Sequence, residues 1–441
     1  AAWDDAKFTV SNGDLWLKST VVYVNTEYGE GLDNDGHLWG INAFADIESA
    51  KAAAPESIVI TGGEITDTAA LEGCVGVIKD GVFGNYLYAG NGNLDATGSG
   101  DSVLVIEGGT FNRVYGGNRI EADFAVNSGD ITLNISGGEF NSVVSGSGHV
   151  TSGYARRSGE INVSISGGTF HTTVAGGICL ETNEVYDVVY TIGSINFEIS
   201  GGTFEYHIYG GNVSAKAARS SQTFVDGDIN LTIDASQNAV NIIDGCNVVA
   251  GSSGYGTVVG NVNVTIKGDK LNFNGILSGG SEGAHYYIGA DGSRTCNSYI
   301  DGTRSVTFSN FNGNFDGRIV VFENISFVDN SNVVFTNTGL SLSDISEWNF
   351  EFGSSVSGLN SNDFTGDTMN LDLTGWDQLS SWDVMDGTGS AFSGLNELAS
   401  VTIGGQTASW DDNLSSWCSS DYQLGIREEE GKEVMFVSKL A

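Results

Sequence analysis

The feature that most constrains this chain is a repeat in which an alternating apolar segment runs into a Gly-Gly turn and then a phenylalanine. Its four clearest copies are residues 103–111, 131–140, 161–170 and 195–204. The turns begin at Gly108, Gly137, Gly167 and Gly201, so the steps are 29, 30 and 34 residues. A second glycine element, such as Tyr115-Gly-Gly-Asn118, follows each phenylalanine in phase. Self-similarity at this period indicates a repeat architecture.

Within each copy, apolar residues alternate with Asn, Ser, Thr or Glu, which is the period of a β-strand with one buried face. A unit of two or three strands cannot cover its own apolar face, so successive copies must stack. Parallel stacking sets equivalent residues about 4.8 Å apart and predicts an interior phenylalanine stack. Its members are Phe111, Phe140, Phe170 and Phe204. The glycines mark corners that need sharp turns and positive φ.

The sequence therefore predicts an all-β chain, folded as a right-handed parallel β-helix of roughly 12 coils with a short N-terminal helical cap. A propeller is excluded because a four-stranded blade needs ~40 residues or more. We divide the chain into a cap at 1–57, a β-helix with regular repeats at 58–320, and degenerate coils with a tryptophan-rich cap at 321–441. Caps are expected because an open coil end exposes unpaired backbone groups.

The N-terminal cap contains the only convincing helix pattern, at 43–54. Phe44, Ile47 and Ala50 fall at helical spacing there, and Pro55 ends the pattern. The C-terminal cap ends in two segments typical of a β-hairpin, 422–426 and 434–437.

Charge limits the partners that this chain can have. The 18 Lys and Arg residues stand against 55 Asp and Glu, a formal net charge of −37. This field repels phosphate backbones, so nucleic acid is not an expected partner, and it attracts divalent cations or basic surfaces. No run approaches the roughly 18 apolar residues that span a bilayer, so no transmembrane segment is expected.

The cysteines are scattered and show no metal-ligand spacing. Five are present, at 74, 179, 246, 296 and 418. This pattern favours small apolar core residues, with one or two disulfides as the alternative, and it argues against a zinc site.

Insertions of variable length join the second glycine element of one coil to the strand of the next. They lie at 119–129, 149–159, 178–193, 213–227 and 281–303. All leave from one corner, so they should align along one side of the rod and form a binding face for sugars or proteins. Its candidate residues are Arg119, Tyr154, Arg156, Arg157, Arg219, His285, Tyr286, Tyr287 and Arg294. Plain solvated loops without a partner are the alternative.

Acidic residues offer weak calcium candidates. Asp130 and Glu160 follow equivalent glycines on adjacent coils, where paired carboxylates would permit a calcium site or acid/base cleavage of a glycoside. Capping of the turns by these side chains is the alternative. Asp33 and Asp35 resemble the start of a calcium loop, but a third ligand and the closing Glu are missing. We expect no organic cofactor, and calcium is the metal that the sequence favours.

Catalytic signatures are missing from the sequence. It contains no GxSxG, HExxH, P-loop or dinucleotide fingerprint, and its five histidines are dispersed. The only mix of bases and acids suited to catalysis is the Arg156-Arg157 segment facing Asp130 and Glu160. We therefore expect a protein that is not an enzyme.

At its ISGGTF and GGN repeats the chain resembles the β-helical passenger domains of bacterial autotransporter-like surface proteins and glycine-rich adhesins. The resemblance covers residues 58 to about 280 and implies a secreted or cell-surface protein. The first residues, Ala1-Ala2, suit cleavage after a signal peptide. The pattern departs from the family because no series of amphipathic strands for a membrane barrel follows.

Three functions remain from different classes. The first is an adhesin or binding rod whose partner is a host glycan or protein surface. The second is a self-assembling extracellular subunit of a filament or sheath, whose partners are copies of itself. The third is a polysaccharide lyase or glycoside hydrolase, since parallel β-helices also carry such enzymes.

Overall fold

The computed structural model describes most of the chain. Its described residues are 8–11, 14–17, 20–92, 100–120, 124–151, 154–180, 188–214, 222–252, 255–280, 287–288, 294–295, 299–337, 342, 344–359, 362–377, 381–388 and 391–440. These residues are nearly all β, with helix limited to Ile47–Ala52 and a 3-10 turn at Leu395–Glu397. Most of the strand pairing is parallel, as the stacked repeats predict.

Sheet I is the longest sheet in the described part of the chain, with 16 strands. In spatial order they are Ala43–Phe44, Val21–Asn25, Ser57–Gly62, Val75–Ile78, Ser102–Ile106, Ile131–Ile135, Ile161–Ile165, Ile195–Ile199, Ile229–Asp234, Val262–Lys267, Arg304–Ser309, Asn324–Val328, Glu347–Glu351, Thr368–Asp372, Ser400–Ile403 and Gln406–Thr407. Strand pairs are parallel except the last.

Sheet II has 15 described strands. They are Leu271–Phe273, Val240–Ile242, Gly202–Phe204, Thr169–Phe170, Glu139–Phe140, Thr110–Tyr115, Val144–Ser145, Val174–Ala175, Ile208–Tyr209, Val248–Val249, Ile276–Ser278 and Arg318–Val320, joined by Val82–Tyr88, Glu64–Ile65 and Ala69–Ala70. The strand Thr110–Tyr115 pairs with two short strands of the following repeat, Glu139–Phe140 and Val144–Ser145. From that repeat onward the sheet therefore continues as two parallel series of short strands.

Two further parallel sheets are built from the insertions. Sheet III comprises Arg119–Ile120, His149–Val150, Cys179–Leu180 and Val213–Ser214. Sheet IV comprises Phe124–Ser128, Tyr154–Ser158, Val188–Ile192, Gln222–Asp226, Tyr255–Val258 and Tyr299–Ile300.

The remaining described strands lie mainly in the C-terminal part. Sheet V comprises Asn312–Phe315, Asn332–Phe335, Ser355–Leu359, Trp382–Gly387, Lys432–Lys439, Tyr422–Glu429, Ser416–Cys418 and Ser409–Asp411. Two-stranded pairs join Phe8–Ser11 to Asp14–Leu17, Tyr287–Ile288 to Arg294–Thr295, and Asn362–Asp363 to Phe392–Ser393.

Each regular repeat visits sheets I to IV in the same order. In the repeat 131–160, Ile131–Ile135 joins sheet I and Glu139–Phe140 joins sheet II, before His149–Val150 enters sheet III and Tyr154–Ser158 enters sheet IV. Because the register is parallel and in phase, each of these strand residues lies beside its equivalent in the next repeat.

The predicted phenylalanine stack is confirmed and is longer than expected. Ring centroids are 5.0 Å apart for Phe111 and Phe140, 4.6 Å for Phe140 and Phe170, and 4.8 Å for Phe170 and Phe204. Phe83 extends the stack by one ring at 5.0 Å. These rings are fully buried beside the inward residues of sheet I, so the repeat pattern defines one continuous core.

The Gly-Gly corners need the left-handed backbone, as predicted. The second glycine of the pair in the third clear copy, Gly168, has φ of 106°, a region that other residues rarely adopt. The turn delivers Phe170 to the core, and its equivalents do the same in the neighbouring repeats.

Where the structure describes the insertions they form strands, so they are not plain loops. Apolar side chains from sheets III and IV, including Ile120, Val150, Leu180, Ala155 and Val189, are buried against each other in a separate cluster. A further cluster joins sheet III to tyrosines of sheet II. The sequence did not reveal sheet III because its two-residue strands are too short to show an alternation.

The N-terminal helix is shorter than the predicted 43–54. Residues Ala43–Phe44 form a strand of sheet I, and the helix spans Ile47–Ala52. It begins there because the Asp46 carboxylate accepts a hydrogen bond from the Ser49 backbone N–H at 2.7 Å. Its buried residues, Ile47 and Ala50, join the main core.

Antiparallel strand pairs end sheets I and V at the C-terminal side of the molecule. Ser400–Ile403 turns back into Gln406–Thr407 on sheet I, and Lys432–Lys439 pairs antiparallel with Trp382–Gly387 on sheet V. The predicted hairpin is Tyr422–Glu429 with Lys432–Lys439. Hairpins of this kind cover the open edge of a parallel stack.

Tryptophans pack into this end of the molecule, as the prediction of a tryptophan-rich region implies. The Trp417 indole donates to the Leu395 carbonyl at 2.6 Å, and the Trp382 indole donates to the Ser354 carbonyl at 2.9 Å.

Four of the five cysteines lie within the described residues. Cys179 and Cys246 are buried, while Cys74 and Cys418 are partly exposed. Burial raises the pKa of the Cys74 and Cys246 thiols, which disfavours the reactive thiolate. Cys296 lies outside the described residues.

Candidate binding face

The two adjacent arginines lie on opposite faces of one sheet IV strand. In Tyr154–Ser158, Arg156 is exposed, whereas Arg157 is only 6 % exposed. Side chains alternate along a strand, so only one of the pair can face solvent. The sequence analysis placed both arginines on the candidate binding face, but of the two only Arg156 is exposed.

Arg157 is held in the interior by backbone and carboxylate groups. Its guanidinium donates a hydrogen bond to the Gly129 carbonyl. Burial lowers the pKa of Arg157 to about 10, an effect that the nearby Asp130 and Asp101 carboxylates oppose. The side chain therefore remains charged near neutral pH. Its hydrogen bond to Gly129 stabilises the turn between sheets IV and I.

The carboxylates that Arg157 faces are engaged in turn capping. Asp130 accepts a hydrogen bond from the Glu160 backbone N–H at 2.8 Å, and Asp101 accepts one from the Asp130 N–H at 2.9 Å. Asp228 does the same for the Asn261 N–H at 2.7 Å. Asp130, one of the two acids on which the enzyme hypothesis depends, is thus a turn-capping residue.

The other calcium candidates also have local partners. Asp35 accepts a hydrogen bond from the Tyr28 hydroxyl at 2.8 Å, and Asp33 accepts one from the Gly36 N–H at 3.2 Å. Among the described residues, no group of three or more His, Cys, Asp and Glu side chains is arranged to hold a metal ion. Calcium binding at Asp33, Asp35, Asp130 or Glu160 stays a prediction.

The remaining candidates are not all brought together. Arg119 is partly buried on a sheet III strand, where its backbone N–H donates to the Asn91 carbonyl at 2.8 Å. Tyr287 and Arg294 lie on the paired strands Tyr287–Ile288 and Arg294–Thr295. Arg219, His285 and Tyr286 lie outside the described residues.

Sheet IV displays an outward row of side chains that the sequence analysis missed. The register aligns Val126, Arg156, Tyr190, Phe224 and Thr257 on successive strands. Val126 is 40 % exposed, Arg156 is exposed, and the other three are partly exposed. We call these five residues the aromatic row. Because each comes from a different repeat, their alignment depends on the strand register.

Ring packing orders this row. The Tyr190 and Phe224 rings are stacked at a centroid distance of 4.5 Å with an interplanar angle of 8°. Tyr154, a predicted site residue, lies 5.4 Å from the Tyr190 ring at an angle of 42°. The result is a fixed aromatic surface with a cationic side chain beside it on the same sheet.

His171 lies apart from this face, on the outside of sheet II, between two carboxylates. Its Nδ1 is 2.6 Å from Glu205 and its Nε2 is 3.3 Å from Glu139. The hydrogen bond with Glu205 is the main cause that raises the pKa of His171, and Glu139 adds to it while partial burial opposes it.

We expect the contribution of His171 to stability to fall as pH rises. Its folded pKa lies above the ordinary value of about 6.5, so the imidazolium stabilises the fold fully below that pH and less as pH passes the folded pKa. The group is a third exposed, so the difference should stay below about 1 kcal/mol. Urea melts of wild type and His171→Asn from pH 5 to 8 would measure it, and Glu205→Gln, which removes the main cause of the raised pKa, should reduce the same pH dependence. A difference independent of pH would contradict this.

Three grooves in the described part of the chain lie elsewhere. The largest of the three has a volume of about 400 Å³, lies against sheet V, and is lined by residues including Asp383, Asp386 and Lys432. The second holds about 230 Å³ beside the helix Ile47–Ala52, and the third about 190 Å³ near Asn349. None of the three includes Arg156 or Arg157.

Comparison with protein-family models, with curated proteins and with solved structures finds no match to this chain. Within the described ranges, no helix has the length and apolar character that crossing a bilayer requires.

Proposed function

We propose that this chain is a right-handed parallel β-helix that acts as a non-enzymatic binding rod, an adhesin secreted or held at the bacterial cell surface. Three observations support the helical path: the parallel register, the fixed order of sheets I to IV, and the continuous phenylalanine stack. A right hand is the rule for crossovers between parallel strands.

The aromatic row is the observation that carries the binding function. The stacked rings of Tyr190 and Phe224 present their apolar edges to the C–H groups of a sugar, and the exposed Arg156 offers donors to hydroxyl or carboxylate oxygens. A surface built on strands is already ordered, so binding loses little conformational entropy. The ligand class that fits is a glycan on a host surface, and a host protein surface is the alternative.

Truncation of Tyr190 should weaken glycan binding about 10- to 30-fold, since a central aromatic contact contributes about 2 kcal/mol. A broad glycan screen of wild type would first identify a ligand, and titration calorimetry would then compare Tyr190→Ala with Thr257→Ala. Thr257 belongs to the same row but has no ring, so its variant should bind like wild type.

Two outcomes would contradict the proposal. One is a wild-type chain that binds neither glycans nor host matrix proteins in such a screen. The other is a ligand whose affinity is unchanged in Tyr190→Ala, Phe224→Ala and Arg156→Ala, which would place the binding surface elsewhere on the molecule.

A further inference from the structure

The outward side of sheet I carries an unusual polar surface. We call it the polar face and define it by two outward residues on each of ten strands, from Ile131–Ile135 to Ser400–Ile403. These are the positions in register with Asn162 and Ser164. Eighteen of the 20 residues are Asn, Ser or Thr, and the other two are Glu198 and Glu347.

General strand preferences do not explain this composition. Asn is depleted in strands, yet eight of these positions hold it. Charged residues are the usual choice for solvated surfaces, and this chain has a formal net charge of −37. It nevertheless keeps this surface free of Lys and Arg and nearly free of carboxylates. A surface of short, uncharged donors and acceptors is suited to contact with another surface.

Side-chain hydrogen bonds hold the amides in a fixed array. Asn196 donates to Asn162 at 2.9 Å, Asn230 donates to Asn196 at 2.9 Å, and Asn263 donates to Asn230 at 3.0 Å. Asn370 and Asn349 form the same bond at 2.9 Å further along the sheet. The side chains are ordered before any partner arrives, which reduces the entropy lost on contact.

We propose that the polar face binds the same face of a second copy of this chain. Two sheets with short side chains can pack about 10 Å apart with interdigitated Asn, Ser and Thr ladders, as stacked sheets do. A periodic surface gains all its contacts only against a partner of equal period. A second copy meets this condition by construction, because its strands repeat at the same spacing of about 4.8 Å.

The area of the face is sufficient for a specific dimer. Ten strands at ~4.8 Å and five residues at ~3.3 Å give a surface of about 800 Å² per copy, the size per partner of a standard interface. Neutral hydrogen bonds contribute little individually, at about 0.5–1.5 kcal/mol each, so the dimer depends on their number.

Net charge opposes this association and provides a signature for it. Two chains of −37 repel each other, while the 20 positions of the polar face hold only two charged side chains, Glu198 and Glu347. Salt screens the repulsion between the bodies without weakening the contacts, so association should strengthen as ionic strength rises. An interface held by ion pairs would show the opposite dependence.

Sedimentation velocity on the full chain, up to about 100 µM, tests the proposal, because a micromolar dimer would be mostly formed there. The disruptive variant is Thr265→Glu with Ser326→Glu, which adds two like charges near the middle of the face. The fold should tolerate it, because Glu198 occupies the same row naturally. The control is Thr203→Glu on sheet II, in the row that holds Glu139 naturally.

We expect reversible dimers of wild type and of the control, favoured by salt, and monomers of the double variant with an unchanged melting temperature. A wild-type chain that stays monomeric at the highest concentration in high salt would overturn the proposal. So would a dimer that survives the double variant, or one that the control loses equally.

Discussion

Phe170→Ala should lower the free energy of unfolding by about 3–5 kcal/mol, the range for removing a fully buried aromatic ring from a core. The Phe170 ring is 0 % exposed and stacks on both neighbours, at 4.6 Å from Phe140 and 4.8 Å from Phe204. The cavity would interrupt the stack in the middle, where rings above and below are held by their own strands and cannot collapse inward. Chemical denaturation followed by tryptophan fluorescence would measure the loss.

The matched control for this truncation is Tyr206→Ala. Tyr206 lies two residues after Phe204 and is 50 % exposed, so its loss should cost less than about 0.5 kcal/mol. Equal effects of the two variants would mean that the stack does not bear on stability. Phe170→Leu should fall between them because it refills part of the cavity.

Gly159→Ala should destabilise the protein by about 3 kcal/mol, because backbone strain and overpacking act together. Gly159 has φ of 108°, and a Cβ there would lie 2.3 Å from the Gly129 carbonyl oxygen of the preceding repeat. That oxygen belongs to the backbone and cannot rotate away. The same position in the following repeat, Gly193, has φ of 114° and a comparable close approach of 2.5 Å to the Gly159 carbonyl.

Gly313→Ala provides the control for the glycine substitution. Nothing lies within 4 Å of a Cβ placed at Gly313, and its φ is not in the left-handed region. Its stability should be unchanged or slightly raised, since alanine restricts the unfolded chain. Thermal melts of both variants would show the contrast, and a tolerated Gly159→Ala would contradict the close packing of the corner.

The parts of the fold that repeat could be predicted from the sequence. The phenylalanines and the glycine pairs recur at one period, and each has one role that the backbone and the core impose. The region 321–441, predicted as degenerate coils, contains strands such as Asn332–Phe335, Thr368–Asp372 and Ser400–Ile403, since alternation survives where the glycines fade.

The candidate site could be predicted only in part. Tyr154 and Arg156 were selected as cationic and aromatic residues of the insertions, and the structure places both on sheet IV. Tyr190 and Phe224 were missed because they are aligned with Arg156 by strand register, although they are 34 and 68 residues away along the chain. The β-branched and aromatic residues concentrated at 188–192 and 222–226 were the strand signal that could have found them.

The sequence by itself determined which residues recur and therefore which must stack, because a periodic pattern of alternation and glycine can be buried in only one way. The tertiary structure alone decided which side of each insertion is covered. Arg156 and Arg157 are neighbours in sequence with the same chemistry, and their different exposure depends on sheets III and IV packing beside the core. Local pattern specifies a strand, but contacts between distant strands decide which of its faces meets solvent.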